Sequence, residues 1–279
     1  MSLVVTNQTR IVVYHFQNRK MKMPTFLHSF PPRSFFFFCF LLLPLLLLLL
    51  LLVSPSSSSS SSDSSNEKVT VSLYYESLCP YCADFIVNHL VKLFQTGLIS
   101  IVNLRLIPWG NAWIAHNGTF LCQHGNDECL LNTIEACAIT IYPDVMQHFK
   151  FVRCLEQLTL ENQHSEWVSC FRRTGLGTSP IDCYKSGNGK AIEQKYAKET
   201  DQLIPPHKFV PWVVVNNLAL QEDFQNFVIY ICKAYKGNVK PDACRSASTR
   251  IYDSNEKMSP FEPVCYVDRN KKSYFTIGH

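Results

Sequence analysis

Apolar positions along this chain fall into three regimes. Residues 35–53 are apolar throughout except at Pro44, residues 54–65 are almost pure serine, and beyond residue 67 short apolar runs alternate with helix-period stripes. The run Val69–Tyr75 alternates β-branched and aromatic side chains with small polar ones and predicts a strand. Residues 83–95 place Phe85, Ile86, Leu90, Leu93 and Phe94 at helical spacing, and Gly97 supplies the stop. Residues 99–109 alternate again up to Pro108, so strand, helix and strand open a βαβ unit. Helical runs follow at 130–141, 143–156 and 164–173, with Pro143 suited to a first turn and Gly175 to a C-terminal stop. A polar helix over 188–202 has Ile192, Tyr196 and Leu203 as a sparse apolar face. Then come an apolar strand at Trp212–Val215, a turn at Asn216-Asn217, a last strand over 218–220 and a final helix over 223–235 led by Asp223.

Charge and composition divide the chain. It has 279 residues and 12 cysteines, with a net charge of +4. Arg10, Arg19, Lys20, Lys22 and Arg33 precede the apolar run with no acid among them, so the remainder is near neutral. Such a body has no electrostatic footprint for nucleic acid, and that class of partner is excluded. Positive charge, an apolar core and then small residues make 1–53 an N-terminal extension with a signal peptide, cleaved between 53 and 60. The length also fits a signal anchor, and Met21 or Met23 as the true start would give a conventional leader. Residues 54–66 read as a serine-rich linker, 67–244 as one folded domain and 245–279 as a polar tail. Asn117-Gly118-Thr119 is an N-glycosylation acceptor, consistent with a lumenal body.

The chemistry centres on Cys79-Pro80-Tyr81-Cys82, where the first strand gives way to the first helix. A Cys-x-x-Cys at that junction is the geometry of thioredoxin-like redox motifs. Cys79 falls at the helix start, where unpaired N–H groups favour a thiolate, and Cys82 one turn on is placed to resolve a mixed disulfide. The same spacing also suits a structural disulfide or half of a zinc site. His89 lies ten residues along the helix, about 15 Å away, too far to act on the thiol, and reads as structural. Val210-Pro211 ahead of the apolar strand occupies the place of the cis-proline in thioredoxin-like folds, whose preceding residue pairs with an extended substrate. An ordinary trans proline opening a strand is the alternative. Cys122, His124 and Cys129 form a mixed set that can bind zinc, but in an oxidising lumen disulfides are the stronger default and no metal is expected. The fold class expected is α/β: a thioredoxin-like fold with a helical, disulfide-rich insertion, about 111–186, between the second strand and the cis-proline half.

Cysteine arithmetic separates the roles. Cys39 leaves with the leader, and Cys79 and Cys82 are catalytic. Cys122, Cys129, Cys137, Cys154, Cys170, Cys183, Cys232 and Cys244 suffice for four structural bridges whose pairing the sequence does not fix, though Cys232 with Cys244 is an attractive local one. Cys265 is left over in the tail, for trimming or for linking two chains.

Cys122 to Cys137 match the pattern C-Q-H-G-x-x-E-C-x-x-N-x-x-x-x-C at every fixed position. With the upstream Cys-x-x-Cys and the downstream Phe-Val-Pro-Trp, residues 68–244 resemble the gamma-interferon-inducible lysosomal thiol reductase family. The resemblance implies an enzyme that reduces protein disulfides in acidic compartments through the pair at Cys79 and Cys82. Its partners would be disulfide-containing proteins and an external reductant, a small thiol or thiol protein. No flavin or nicotinamide fingerprint is present, so no cofactor is expected. The expected setting is the secretory pathway, ending in a lysosome, a vacuole or the extracellular space, with membrane contact only if the leader is retained. Rival readings are an oxidase or isomerase of the same fold, a glutaredoxin-like protein suggested by Pro80-Tyr81, and a non-catalytic, disulfide-stapled binding module.

Overall fold

The computed structural model describes residues 68–245 and 263–268. The leader, the serine linker, Cys39 and most of the tail lie outside the described residues. Among the described residues no helix is long and apolar enough to cross a membrane.

Strand β1 (Val69–Tyr75) lies inside a four-stranded sheet and is buried along nearly its whole length. A strand covered on both faces needs apolar residues at odd and even positions alike, which is what Leu73, Tyr74 and Tyr75 supply. It pairs in parallel with β2 (Val102–Pro108), from Val69↔Val102 to Tyr75↔Pro108. Between them runs a helical stretch, α1 (Pro80–Asp84), a π-type segment Phe85–Leu90 and α2 (Lys92–Gln95). The helix expected at 83–95 starts three residues earlier because Pro80 at the first turn is pre-set for helix. Gly97, at φ 73°, ends the run as expected. Strand β2 begins later than expected: Leu98–Ile101 is a 3-10 turn, and Ser100 Oγ donates to Gly97 O at 2.8 Å.

Two short strands, β3 (Trp113–Ile114) and β4 (Phe120–Leu121), form a hairpin before the helical insertion. The insertion comprises α3 (Asn126–Ile141), α4 (Val145–Leu160), α5 (Ser169–Thr174) and α6 (Ser179–Lys185), and α7 (Asn188–Asp201) follows. Pro143 does not open α4. Asp144 caps it instead, its side chain accepting from Met146 N at 2.9 Å. Gly175 (φ 72°) ends α5. Leu131, Ile134, Phe151, Leu155, Leu158 and Phe171 make a small core of their own, separate from the larger one around the sheet. Cys137–Cys183 fastens α3 to α6, and Cys154–Cys170 fastens α4 to α5. Cys122–Cys129 and Cys232–Cys244 are the two local bridges. α7 crosses α3 so closely that a Cβ on Gly189 would stand 2.5 Å from Thr133 Cγ2.

After α7 the chain forms β5 (Phe209–Val210), β6 (Trp212–Val215) and β7 (Leu218–Ala219), then α8 (Phe227–Ala234). β6 runs antiparallel to β1 and β7 to β6, giving the order β2-β1-β6-β7. Asn216 and Asn217 take positive φ (44° and 67°) in the hairpin turn, as their chemistry suggests. The Val210–Pro211 bond is cis. A parallel βαβ half joined through β1 to an antiparallel hairpin and a closing helix is a thioredoxin-like fold, interrupted by helices α3 to α6.

Candidate active site

Cys79 caps α1 from an extended conformation at the end of the β1 turn. Its N–H donates to Glu76 O at 3.3 Å, and its carbonyl accepts from Ala83 N at 3.0 Å. The turn is pinned from the insertion: Ser77 N donates to Asn132 Oδ1 at 3.0 Å, and Thr159 Oγ1 donates to Ser77 O at 2.9 Å. Cys82 lies inside the first helical turn as a free, buried thiol.

Cys79 is not bonded to Cys82. It forms a disulfide with Cys265, 186 residues further on, with the two Cα atoms 6.3 Å apart. The sequence reading left Cys265 to be trimmed or to link two chains; it bonds within its own chain. The cause is a strand pairing. β8 (Cys265–Tyr266) runs antiparallel to β5, with Val210↔Cys265 and Phe209↔Tyr266 opposite each other, and Val267 N donates to Lys208 O at 3.0 Å. Cys79 Sγ itself stands 4.0 Å from Val210 O. The tail therefore delivers its cysteine along the strand edge that precedes cis-Pro211. Val264-Cys265-Tyr266-Val267 is an apolar run in an otherwise polar tail, the one local signal that could have announced it.

Chemically, Cys265 and its flanking main chain stand in for the cysteine of a polypeptide caught as a mixed disulfide on Cys79. Asn111 Nδ2 donates to Cys265 O at 3.0 Å and to Gln123 Oε1 at 2.7 Å, and Gln123 Nε2 donates to Tyr266 O at 3.0 Å. Asn111 N in turn donates to Glu76 Oε1 at 2.6 Å. Gly110, at φ +56°, allows that approach, since a Cβ there would lie 2.3 Å from Glu76 Cγ. His124 turns Nε2 toward Cys265 Sγ at 3.9 Å and Nδ1 toward the Glu128 carboxylate, with Glu76 Oε2 3.6 Å from Nδ1. A cavity of about 320 Å³ opens beside the tail, walled by Trp109, Trp113, Ile114 and Val267.

Beneath the sulfurs lies a group of buried carboxyls. Burial, with the neighbouring Glu128 charge, pushes Glu76 well above the ordinary carboxylate range. Burial raises Glu135 to about 8, although the Tyr75 hydroxyl, donating at 2.6 Å, pulls the other way. Glu156 and Glu193 are raised by burial and by Glu135. Burial, and then the Glu76 charge, pushes the Cys82 thiol up as well, so it is held as a thiol.

The remaining sequence-predicted positions sort as follows. Cys122 and Cys129 are joined to each other, which withdraws both sulfurs from the mixed metal set, and His124 faces Glu128 instead. Glu76, His124 and Cys265 bring three ligand-type atoms within 4.8 Å, but that sulfur is engaged in the disulfide with Cys79. His89 stacks on Phe85, with ring centroids 5.9 Å apart, and its Nε2 lies 3.7 Å from Asp84 Oδ2. Asn117 is exposed in the turn between β3 and β4. Glu76, Asn111, Gln123 and Glu128 were not singled out as site residues from sequence, although Gln123 and Glu128 are fixed positions of the cysteine signature.

A cysteine at a strand-to-helix turn, a second thiol one turn on and a cis-proline strand edge opposite them define a thiol–disulfide oxidoreductase of thioredoxin-like fold. Residues 70–174 match the family model described as gamma interferon inducible lysosomal thiol reductase (GILT). The chain is 41% identical over 186 residues to the gamma-interferon-responsive lysosomal thiol protein of Arabidopsis thaliana, covering 65% of this chain and 78% of that one. It is 36% identical over 209 residues to the gamma-interferon-inducible lysosomal thiol reductase of Mus musculus, covering 71% and 76%. The chain belongs to this family. Among solved structures it is similar to reduced DsbA from Mycobacterium tuberculosis, at 16% identity and a TM-score of 0.45 over 71% of this chain and 92% of the other.

Proposed function

We propose that this enzyme reduces disulfides of protein substrates, with Cys79 as nucleophile and Cys82 as resolving thiol. Cys79 thiolate attacks a substrate disulfide and holds one half as a mixed disulfide. Cys82 then attacks Cys79 Sγ, releases the substrate thiol and leaves a Cys79–Cys82 bond. An external thiol reductant restores the dithiol, and no further cofactor takes part. The observation that carries the reading is Cys79 bonded to a cysteine on an extended strand that pairs with residues 209–210 ahead of cis-Pro211. That is how a substrate segment would be held. With the tail seated Cys79 is fully buried, so the Cys79–Cys265 bond has to be opened and the Cys79–Cys82 pair reduced before turnover.

The setting we infer is an acidic compartment of the secretory pathway, a lysosome or vacuole, or the acidic extracellular space. A thiol of pKa about 8.5 is ionised at roughly three parts in ten thousand at pH 5, whereas one lowered to about 6 is nearly a tenth thiolate. Placement at a helix start favours the second case. The buried carboxyls support the same reading. A carboxyl that keeps its proton when folded but loses it near pH 4.5 when unfolded makes the folded state bind more protons in between. Stability from such groups is present at low pH and falls as pH rises toward the folded value, about 8 for Glu135.

The test is reduction of an insulin-type disulfide at pH 4.5 and pH 7 by the full chain after reductive opening. Wild type should turn over at pH 4.5, Cys82→Ser should accumulate substrate covalently on Cys79, and Cys79→Ser should be inactive. Full activity in Cys79→Ser would end the proposal.

A further inference from the structure

The sulfur that leaves Cys79 needs a proton, because an alkyl thiolate is a poor leaving group in acid unless it is protonated as it departs. Three side chains from the signature stretch lie around that sulfur and one of them can give a proton to it; Glu76, also within 4.8 Å, is fully buried and out of reach of the water that would recharge it. Gln123 spends its amide on the main chain of Tyr266. Glu128 faces the far side of the imidazole. His124 alone presents a ring nitrogen to Cys265 Sγ. Its side chain is 31% exposed, so water can recharge it.

We propose that His124, oriented by Glu128, is the catalytic proton donor to the substrate sulfur as Cys82 displaces it from Cys79. The imidazole is built for the task. Glu128 Oε1 accepts from the His124 backbone N–H at 3.2 Å, while its other oxygen meets Nδ1, so one carboxylate fixes both the main chain and the ring. With Nδ1 engaged, Nε2 is the nitrogen that serves the sulfur. Asn111 and Gln123 hold the carbonyls of the reactive cysteine and of the residue after it, which sets the sulfur against Nε2 whatever the side chains on the substrate. In the step, the Cys79–Cys265-type bond breaks and a Cys79–Cys82 bond forms. Nε2–H passes its proton to the departing sulfur, and the proton released by Cys82 restores the imidazolium. One disulfide is exchanged for another, and the substrate cysteine leaves as a thiol.

This inference rests on the assignment of Cys79 and Cys82, and the test separates the two. The full chain carrying Cys265→Ser, which frees the site, is reduced at Cys79 and Cys82 and mixed in single turnover with two disulfides. One is the symmetrical disulfide of a peptide with the sequence of residues 263–268, whose leaving group is an ordinary cysteine thiol. The other is a bis(thionitrobenzoate) disulfide, whose leaving thiol is acidic and needs no proton. His124→Gln should slow the second release, the resolving step, about hundredfold for the peptide and less than about threefold for thionitrobenzoate, the size expected of a lost general acid. Glu128→Gln should show the same selectivity at smaller size. Equal slowing with both leaving groups, or no slowing with either, overturns the role of His124. Should His124→Gln fail to fold, Glu128→Gln decides by the same comparison, absence of selectivity counting against. If Cys79→Ser still releases peptide, it is the underlying reading that fails.

Discussion

The sheet half and the helical insertion are held together by different physics, and they contribute different things to the site. The sheet half rests on the β2-β1-β6-β7 ladder and on a large apolar cluster that includes Trp212, Phe85 and Phe227. It supplies the two sulfurs of the first turn and the strand edge at 209–210. The insertion has a smaller core and is fastened by Cys137–Cys183 and Cys154–Cys170. Its first helix and the loop before it supply what surrounds those sulfurs: Gln123, His124 and Glu128 near the tail, and Asn132 beneath the turn. A thioredoxin-like half thus carries the sulfurs proposed to react, while an inserted region packs around them.

Three changes would break or sharpen that division. The largest effect is expected from Cys265→Ser. With a small thiol as the electron source, the variant should begin insulin-type reduction without the lag that wild type shows while its Cys79–Cys265 bond is opened. If the variant lags as long as wild type, the tail does not govern access. Next is the double variant Cys154→Ala/Cys170→Ala, which removes a bridge with a sequence separation of 16. The chain-entropy cost is about 3 kcal/mol. Chemical denaturation should show that loss, with the insertion opening before the sheet; simultaneous loss of both would argue that they are a single cooperative unit. The smallest effect is the pH response of Glu135→Gln. Wild type should lose stability between pH 5 and pH 8, because the folded protein keeps the Glu135 proton up to about 8 and the unfolded chain does not. Removing that group should flatten the slope by on the order of 1–3 kcal/mol over the range, measured as Tm at the two pH values.

Much of the sheet half was legible because its signals are local. Val69–Tyr75 shows its strand in seven consecutive residues, and Gly97 and the paired asparagines at 216–217 carry their geometry in one or two, whereas the cis bond at Val210–Pro211 was legible from its place in the fold. Helix α6 was not foreseen, being short and signalled chiefly by Pro180 in its first turn. The partner of Cys79 was hidden for a different reason. Proximity in sequence pointed to Cys82, whereas the observed bond depends on a long-range pairing between residues 210 and 265 whose local signal is the four-residue apolar run 264–267. His124 read only as a metal ligand in a set with Cys122 and Cys129, because the sulfur it meets, Cys265, lies 141 residues away in sequence.

Cys265 follows Cys244, itself anchored to Cys232, by 21 residues in the same chain. After each reduction, Cys265 is presented to Cys79 within the same chain, at an effective concentration that does not depend on how dilute the protein is. Any visiting protein has to outcompete that resident. A single proteolytic nick between 245 and 263 would leave the disulfide untouched, yet the next reduction would then let the fragment diffuse away for good. Scission by itself activates nothing; it turns a reversible opening into a permanent one.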